Sequence, residues 1–168
     1  MDKTIILRPA TLADLAHIVA MDRDLFGEHG TEEDPAIIRA RLEVFPVGCV
    51  VLEERANGQP PRFVGYLTTE KWAEAREPTL DEDPRLTHVP DGRVLNITTL
   101  AVGRPDQRGG LGARLLAYAE DLARQEGCGE IILETEQAER FYLRYGFETL
   151  GERRQRGAHL IIMRKRLA

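Results

Sequence analysis

The feature that most constrains this chain is one junction, Leu100-Ala101-Val102-Gly103-Arg104-Pro105-Asp106-Gln107-Arg108-Gly109-Gly110-Leu111-Gly112-Ala113. The run Val94–Val102, rich in Ile, Thr and Leu, predicts a strand. A helix follows from Gly110 to about Gln125, with Leu111, Leu115, Tyr118, Ala119 and Leu122 on its buried face. The glycines fall where the turn becomes that helix. Glycine lets a backbone come close to a ligand and adopt dihedrals closed to other residues. The first N–H groups of a helix lack intrahelical partners and carry the positive end of its dipole. Together these make an anion site suited to a pyrophosphate, and Arg108 adds charge to it. The plain alternative is a glycine-rich helix start with no ligand. The spacing is not that of a P-loop and no lysine follows; a dinucleotide fingerprint would sit on the first strand–helix turn, and this one comes late.

Around this junction the elements read in order. Thr4–Leu7 is a short strand that stops at Pro9-Ala10, and Thr11 then caps a helix with Asp14 as its capping partner. Leu12, Leu15, Ile18, Val19, Leu25 and Phe26 follow one helical face, which Gly30 and Thr31 break. A second, more charged helix runs from about Asp34 to Val44. Gly48–Glu53 and Arg62–Thr69 form a hairpin through Asn57-Gly58-Gln59-Pro60-Pro61. Trp72 to Gly92 is acidic, aperiodic and carries Pro78, Pro84 and Pro90, the signature of a long loop: a lid, a binding loop or a surface insertion. Glu130–Leu133 is a strand, and Ala138, Phe141, Tyr142 and Tyr145 form a helical stripe closed by Gly146. Phe147–Arg153 and His159–Arg164 pair as a last hairpin. Hairpins at both ends around a strand–helix–strand crossover predict a single α/β (α+β) domain over residues 1–168.

Composition narrows the function. The 168 residues suffice for one domain with a real core. Acidic residues outnumber basic ones, 28 to 23, which argues against nucleic acid as a partner; it fits a cationic substrate or plain solubility. No apolar run approaches the ~20 residues that span a bilayer, and the opening residues carry no signal-peptide pattern, so no membrane partner is expected. Cys49 and Cys128 lie far apart without metal-ligand spacing; no metal is expected, and a reducing cytoplasm fits.

The Gln107-Arg108-Gly109-Gly110-Leu111-Gly112 run matches the Gln/Arg-x-x-Gly-x-Gly/Ala signature of the GNAT N-acetyltransferases, and follows Leu-Ala-Val as that family's motif does. Ala138-Glu139-Arg140-Phe141-Tyr142-Leu143-Arg144-Tyr145-Gly146-Phe147 resembles the family's second motif, and Val64-Gly65-Tyr66 its preceding strand. The ordered set covers nearly the whole chain. The resemblance implies a mixed, mostly antiparallel sheet flanked by helices, with acetyl-CoA as cosubstrate and an amine as acceptor, either a small molecule or a protein amine.

It also implies roles. Leu100, Ala101 and Val102 would pair with the pantetheine arm, as a strand edge splayed from its neighbour can. Gln107, Arg108, Gly109, Gly110, Leu111, Gly112 and Ala113 would hold the pyrophosphate, with Thr135 and Phe141 adding cofactor contacts. Tyr142 matches the tyrosine beside the thioester sulfur, a phenol able to protonate the departing thiolate. Tyr145 is expected as a core aromatic. Where many members carry a strand glutamate as base, this chain has Asn96, and Thr135 replaces their asparagine. Asn96, Thr98 and Leu100 are expected on one strand face, with Asn96 and Thr98 orienting substrate or water. Glu70, Glu28, His29 and His88 are candidate bases, and the acidic loop residues Glu74, Glu77, Asp81, Glu82 and Asp83 suggest a cationic acceptor. The missing glutamate keeps a second reading in play, a non-catalytic CoA-binding sensor or partner module. The apolar run His159–Met163 suits either a buried strand or a homodimer interface.

Overall fold

In the computed structural model, described for residues 2–168, the apolar runs become seven strands of one sheet, ordered β1-β2-β3-β4-β5-β7-β6. The strands are β1 (Lys3–Pro9), β2 (Val50–Ala56), β3 (Arg62–Trp72), β4 (Val94–Val102), β5 (Glu130–Thr135), β6 (Glu148–Gln155) and β7 (Ala158–Arg166). Every neighbouring pair is antiparallel except β4 and β5. The helices are α1 (Leu15–Phe26), α2 (Pro35–Val44), the short α3 (Pro84–Thr87), α4 (Leu111–Gln125) and α5 (Glu139–Arg144).

Local chemistry sets the boundaries. Asp14 accepts from the Thr11 N–H at 2.8 Å, but the helix it caps opens with a 3₁₀ turn, Leu12–Asp14, before α1 begins. The same carboxylate grips Arg8 through two bonds of 2.7 and 2.8 Å, tying that turn to β1. Asp34 caps α2 from its N-cap position, accepting from Ala36 N at 2.8 Å, with Pro35 at the first helical position. The loop after β3 is shorter than the sequence suggests, because Trp72 still pairs with Val94 and Pro84–Thr87 forms one helical turn.

The sheet carries a core on each face. Leu115, Leu116, Ala119 and Leu122 of α4 join Leu95, Ile97, Leu133 and Tyr142 on one side; Leu111 and Tyr118 are only half-buried at its margin. Ile18 of α1 and Ile38 and Leu42 of α2 cover Cys49, Val51, Tyr66 and Ala101 on the other. Each fully buried leucine contributes roughly 1.5–3 kcal/mol. β7 lies between β5 and β6, with Leu160, Ile162 and Met163 buried, so an inner strand accounts for the apolar run His159–Met163.

Two irregularities of β4 shape the site. Thr69 pairs with Ile97 and Thr68 with Thr99, leaving Thr98 as an extra residue bulged out of the ladder. The bulge shifts the alternation: Leu100 packs with Leu95 and Ile97, not on the face of Asn96, which corrects the simple period-two expectation. The parallel ladder with β5 covers only Val94, Asn96 and the residue between them, opposite Glu130–Ile132. Beyond that point β4 continues on β3 alone and β5 on β7 alone, so the two strands part like a V.

Candidate active site

The parting of β4 and β5 opens a cavity of about 750 Å³. One end lies against the glycine turn, and the lining residues come from both faces of the sheet. Asn96, Thr98, Leu100, Ala101, Val102, Gln107, Arg108, Gly110, Gly112, Ala113, Thr135, Phe141 and Tyr142 all line it. Gly109 and Leu111 do not; Leu111 packs against the core instead.

At the turn, Gln107 Nε2 donates to the Val102 carbonyl at 3.0 Å and fastens the loop to the strand end. The Gly109 N–H bonds Asp106 O at 3.3 Å, whereas the N–H groups of Arg108, Gly110, Leu111, Gly112 and Ala113 have no backbone acceptor among the described residues. Gly110 sits at the N-cap with φ 77°, a left-handed conformation that costs other residues energy. A Cβ on Gly112 would stand 3.4 Å from the Phe141 ring, so this glycine keeps helix and aromatic close. The turn therefore holds an array of free donors at a helix start, which fits an anionic phosphate group.

On the opposite wall Tyr142 is 6 % exposed, packed edge-on against Phe141 and Phe147, with no hydrogen-bond partner for its hydroxyl among the described residues. Burial pushes its pKa well above the ordinary phenol range, so it stays protonated through neutral pH. Tyr145 is not the core aromatic expected: it is 40 % exposed and lines the cavity beside Phe141. The six-residue α5 turns only Tyr142 inward, and Tyr145 falls at its C-cap. Thr135 Oγ1 accepts from Ala138 N at 3.0 Å, which shapes the entry to α5.

The apex of the V is polar. Asn96 pairs across the ladder with Glu70, and Thr98 shares a 2.7 Å hydrogen bond with Thr68. Glu70 accepts from Trp72 Nε1 at 2.9 Å and Thr87 Oγ1 at 2.7 Å. Arg41 is bidentate on Glu33, its shortest bond 2.6 Å, while its other terminal nitrogen, 3.9 Å from Glu70, and Asn96 Oδ1 are buried without a hydrogen bond. Asp22 of α1, 1 % exposed, completes this wall.

Among the candidate bases, Glu70 is held by its partners, His29 is bound to Glu136, and Glu28 lines the cavity from an exposed position. His88 is not brought to the cavity; it accepts from Lys71 N at 3.0 Å and packs at a tilt against Phe45. Of the loop's acidic residues Glu74, Glu77, Asp81, Glu82 and Asp83, only Glu82 lines the cavity, and Arg76 holds it at 2.6 Å. Asp81 meets Arg156 at 3.5 Å and Asp83 meets Arg85 at 3.0 Å, which leaves little of that loop's charge for an acceptor. Sequence reasoning missed Asp22, Glu33 and Arg41. One signal was there: Asp22 lies four residues after Ile18, on the buried face of α1.

Neither cysteine lines the cavity; burial raises both thiols, Cys49 to about 12. Among the described residues no group of three or more His, Cys, Asp or Glu could hold a metal, and no helix is long and apolar enough to cross a membrane.

Comparison with known proteins agrees with this layout. The family model described as Acetyltransferase (GNAT) family matches residues 15–147. No curated protein matches the chain in sequence. Among solved structures, the loading GNATL domain of CurA from Lyngbya majuscula superimposes with a TM-score of 0.81 at 16% identity, covering 97% of this chain and 98% of that one. The GphF GNAT-like decarboxylase in complex with isobutyryl-CoA gives 0.76 at 19% identity, covering 97% and 100%. Arabidopsis thaliana Naa50, in complex with the bisubstrate analogue CoA-Ac-MVNAL, gives 0.70 at 17% identity, covering 97% and 99%. At these identities the likeness is one of fold.

Proposed function

The chain belongs to the GNAT acetyltransferase family, and from that premise we propose that it moves the acetyl group of acetyl-CoA onto a primary amine by direct attack in a ternary complex. The observation that carries this reading is the end of the β4–β5 ladder at Asn96 and Ile132. Beyond it the edge of β4 facing the gap lacks strand partners and offers its N–H and C=O groups to the amides of a pantetheine arm. The strand leads from the apex to the free donors of Arg108, Gly110, Leu111, Gly112 and Ala113, which would take the pyrophosphate. Six residues of strand separate Asn96 from Val102, roughly 20 Å at about 3.3 Å each. An arm lying along this edge with its phosphates at the turn directs its thioester toward Thr98 and Asn96.

In that placement the acceptor enters at the apex, where Asn96 Oδ1 and Arg41 Nη1 are buried without a hydrogen-bond partner. Tyr142, protonated and without a protein partner, would donate to the sulfur as the C–S bond breaks. Two buried thiols with raised pKa, both outside the cavity, favour direct transfer over an acyl-cysteine intermediate. The test is thiol release from acetyl-CoA with spermidine, ethanolamine, an amino-acid amide and a short peptide with a free N-terminus. Release that requires an amine and falls in Tyr142→Phe is the expected result. Tight acetyl-CoA binding without release to any amine would instead favour a CoA-binding module.

A further inference from the structure

We propose that Asp22 is the base that accepts the proton of the incoming ammonium, a role that rests on the acetyl-transfer reading above. Its carboxylate lines the cavity from α1, at 1 % exposure. Oδ1 accepts from the Tyr66 hydroxyl at 3.2 Å and Oδ2 from the Glu33 N–H at 2.7 Å. Two donors fix the group's orientation and leave a lone pair on each oxygen.

What separates Asp22 from its neighbours is charge pairing. Each of the other buried or half-buried acids on the cavity wall has a cationic partner. Glu33 has Arg41 at 2.6 Å, Glu82 has Arg76 at 2.6 Å, Glu134 has Arg153 at 2.6 Å, Glu136 has His29, and Glu70 has Arg41 at 3.9 Å. Asp22 has no ion-pair partner among the described residues. An arginine stabilises a carboxylate and lowers its appetite for a proton, while an unpaired buried carboxylate keeps it.

Burial and neighbouring like charge favour the protonated carboxyl. Burial raises the Asp22 carboxyl to about 7, and Glu33 and Glu32, from the segment leading into α2, add like charge. The hydrogen bonds from Glu33 N–H and Tyr66 oppose this without cancelling it. From β3 comes Tyr66, whose own proton burial holds tightly, and Glu70; from α2 comes Arg41, already bound to Glu33. A base poised near neutrality is half ionised where the enzyme works and strong enough to take a proton.

The step balances as follows. The ammonium gives one proton to the Asp22 carboxylate, and the freed lone pair of nitrogen attacks the acetyl carbonyl carbon. A C–N bond forms, the C–S bond breaks and its electron pair leaves on sulfur. The second nitrogen proton ends on that sulfur, relayed through the Tyr142 hydroxyl. Asp22 then releases its proton to solvent, so ammonium and acetyl-CoA give the acetamide, the free thiol and one proton.

Asp22→Asn tests this in the full chain, because an asparagine can keep both partners: its oxygen accepts from Glu33 N–H and its amide donates to the Tyr66 oxygen. With the best amine of the panel, wild-type kcat/KM should rise through a limb near pH 7. The variant should lose about 100-fold or more in kcat and lose that limb. Its acetyl-CoA Kd, measured by calorimetry, should stay within about 2-fold, since the phosphate donors are untouched. A variant that keeps the limb and most of kcat overturns Asp22 as base and leaves the transfer reading standing. A wild type that acetylates no amine sinks both. Independently of any acceptor, carboxyl NMR of aspartate-labelled protein should show a resonance, absent from Asp22→Asn, titrating near 7. A midpoint in the ordinary carboxylate range overturns the proposal by itself.

Discussion

Glu70 and Asn96 stand opposite each other across the β3–β4 ladder, and the carboxylate is fully partnered while the amide oxygen beside it has no partner. Two polar residues on one rung thus have different work. Glu70 anchors Trp72 and Thr87 and holds the base of the loop that follows β3. Asn96 Oδ1 is a buried acceptor facing the cavity, a group whose desolvation is unfavourable until a ligand donates to it.

Asn96→Ala should therefore act on the acceptor more than on the fold. Removing an already unsatisfied group leaves nothing newly stranded, so stability should change by less than about 1 kcal/mol. The KM for the amine should rise about 5- to 20-fold, the worth of one or two kcal/mol of lost hydrogen bonding, with the acetyl-CoA Kd unchanged. Steady-state kinetics at saturating acetyl-CoA, with a melting curve, decide it. A melting temperature that drops with no change in KM would make Asn96 a structural residue.

Gly110→Ala probes the turn. The added Cβ meets nothing within 4 Å, so its effect comes from the backbone at φ 77° rather than from a clash. Holding alanine there costs about 1–2 kcal/mol. If the alanine relaxes toward ordinary dihedrals, the free N–H groups swing out of register. Stability should fall by that amount, and acetyl-CoA affinity should fall about 10-fold or more, read by calorimetry. Unchanged affinity would mean the donors of this turn do not hold the pyrophosphate.

The sequence displayed the donor side of this site better than the acceptor side. Val94–Val102, the glycine turn and α4 were legible because their chemistry is local: a strand pattern, special dihedrals and a helical stripe lie next to each other in the chain. The bulge at Thr98 was not, since it shows only in the register against β3, and it moved Leu100 away from the face of Asn96. The acidic loop misled for a related reason. Its charges look available in one dimension, yet Arg76, Arg85 and Arg156 neutralise most of them in three. Asp22 meets Tyr66 from 44 residues away, a separation no motif spans.

Tyr142→Phe removes one oxygen and little else. The hydroxyl has no protein partner and the ring keeps its contacts with Phe141 and Phe147, so the fold should hold within about 0.5 kcal/mol. If the phenol protonates the leaving sulfur, kcat should fall about 10- to 100-fold with KM for acetyl-CoA nearly constant. Because burial raises the Tyr142 pKa, wild-type activity should show no alkaline limb from this group near the ordinary phenol value. A limb that appears there and vanishes in the phenylalanine variant would mean that the hydroxyl is better solvated than its burial implies.

Asp22→Asn also carries a prediction for stability, opposite in sign to its effect on activity. The folded protein holds the Asp22 proton up to about 7, against 3.8 for an ordinary aspartate carboxyl. The raised value means that the protonated form is favoured by folding; that contribution is complete below about 3.8 and is lost as pH rises through about 7. Above neutrality the wild type carries a buried unpaired charge whose unfavourable effect is at most about 4 kcal/mol. Asparagine never takes that charge. The variant should match the wild type in denaturant unfolding near pH 4 and exceed it by about 1–4 kcal/mol near pH 8. The gain should grow between those limits, over the interval in which Asp22 ionises. Equal stability differences at both pH values would place the Asp22 titration outside this window and remove the physical basis for its role as a base.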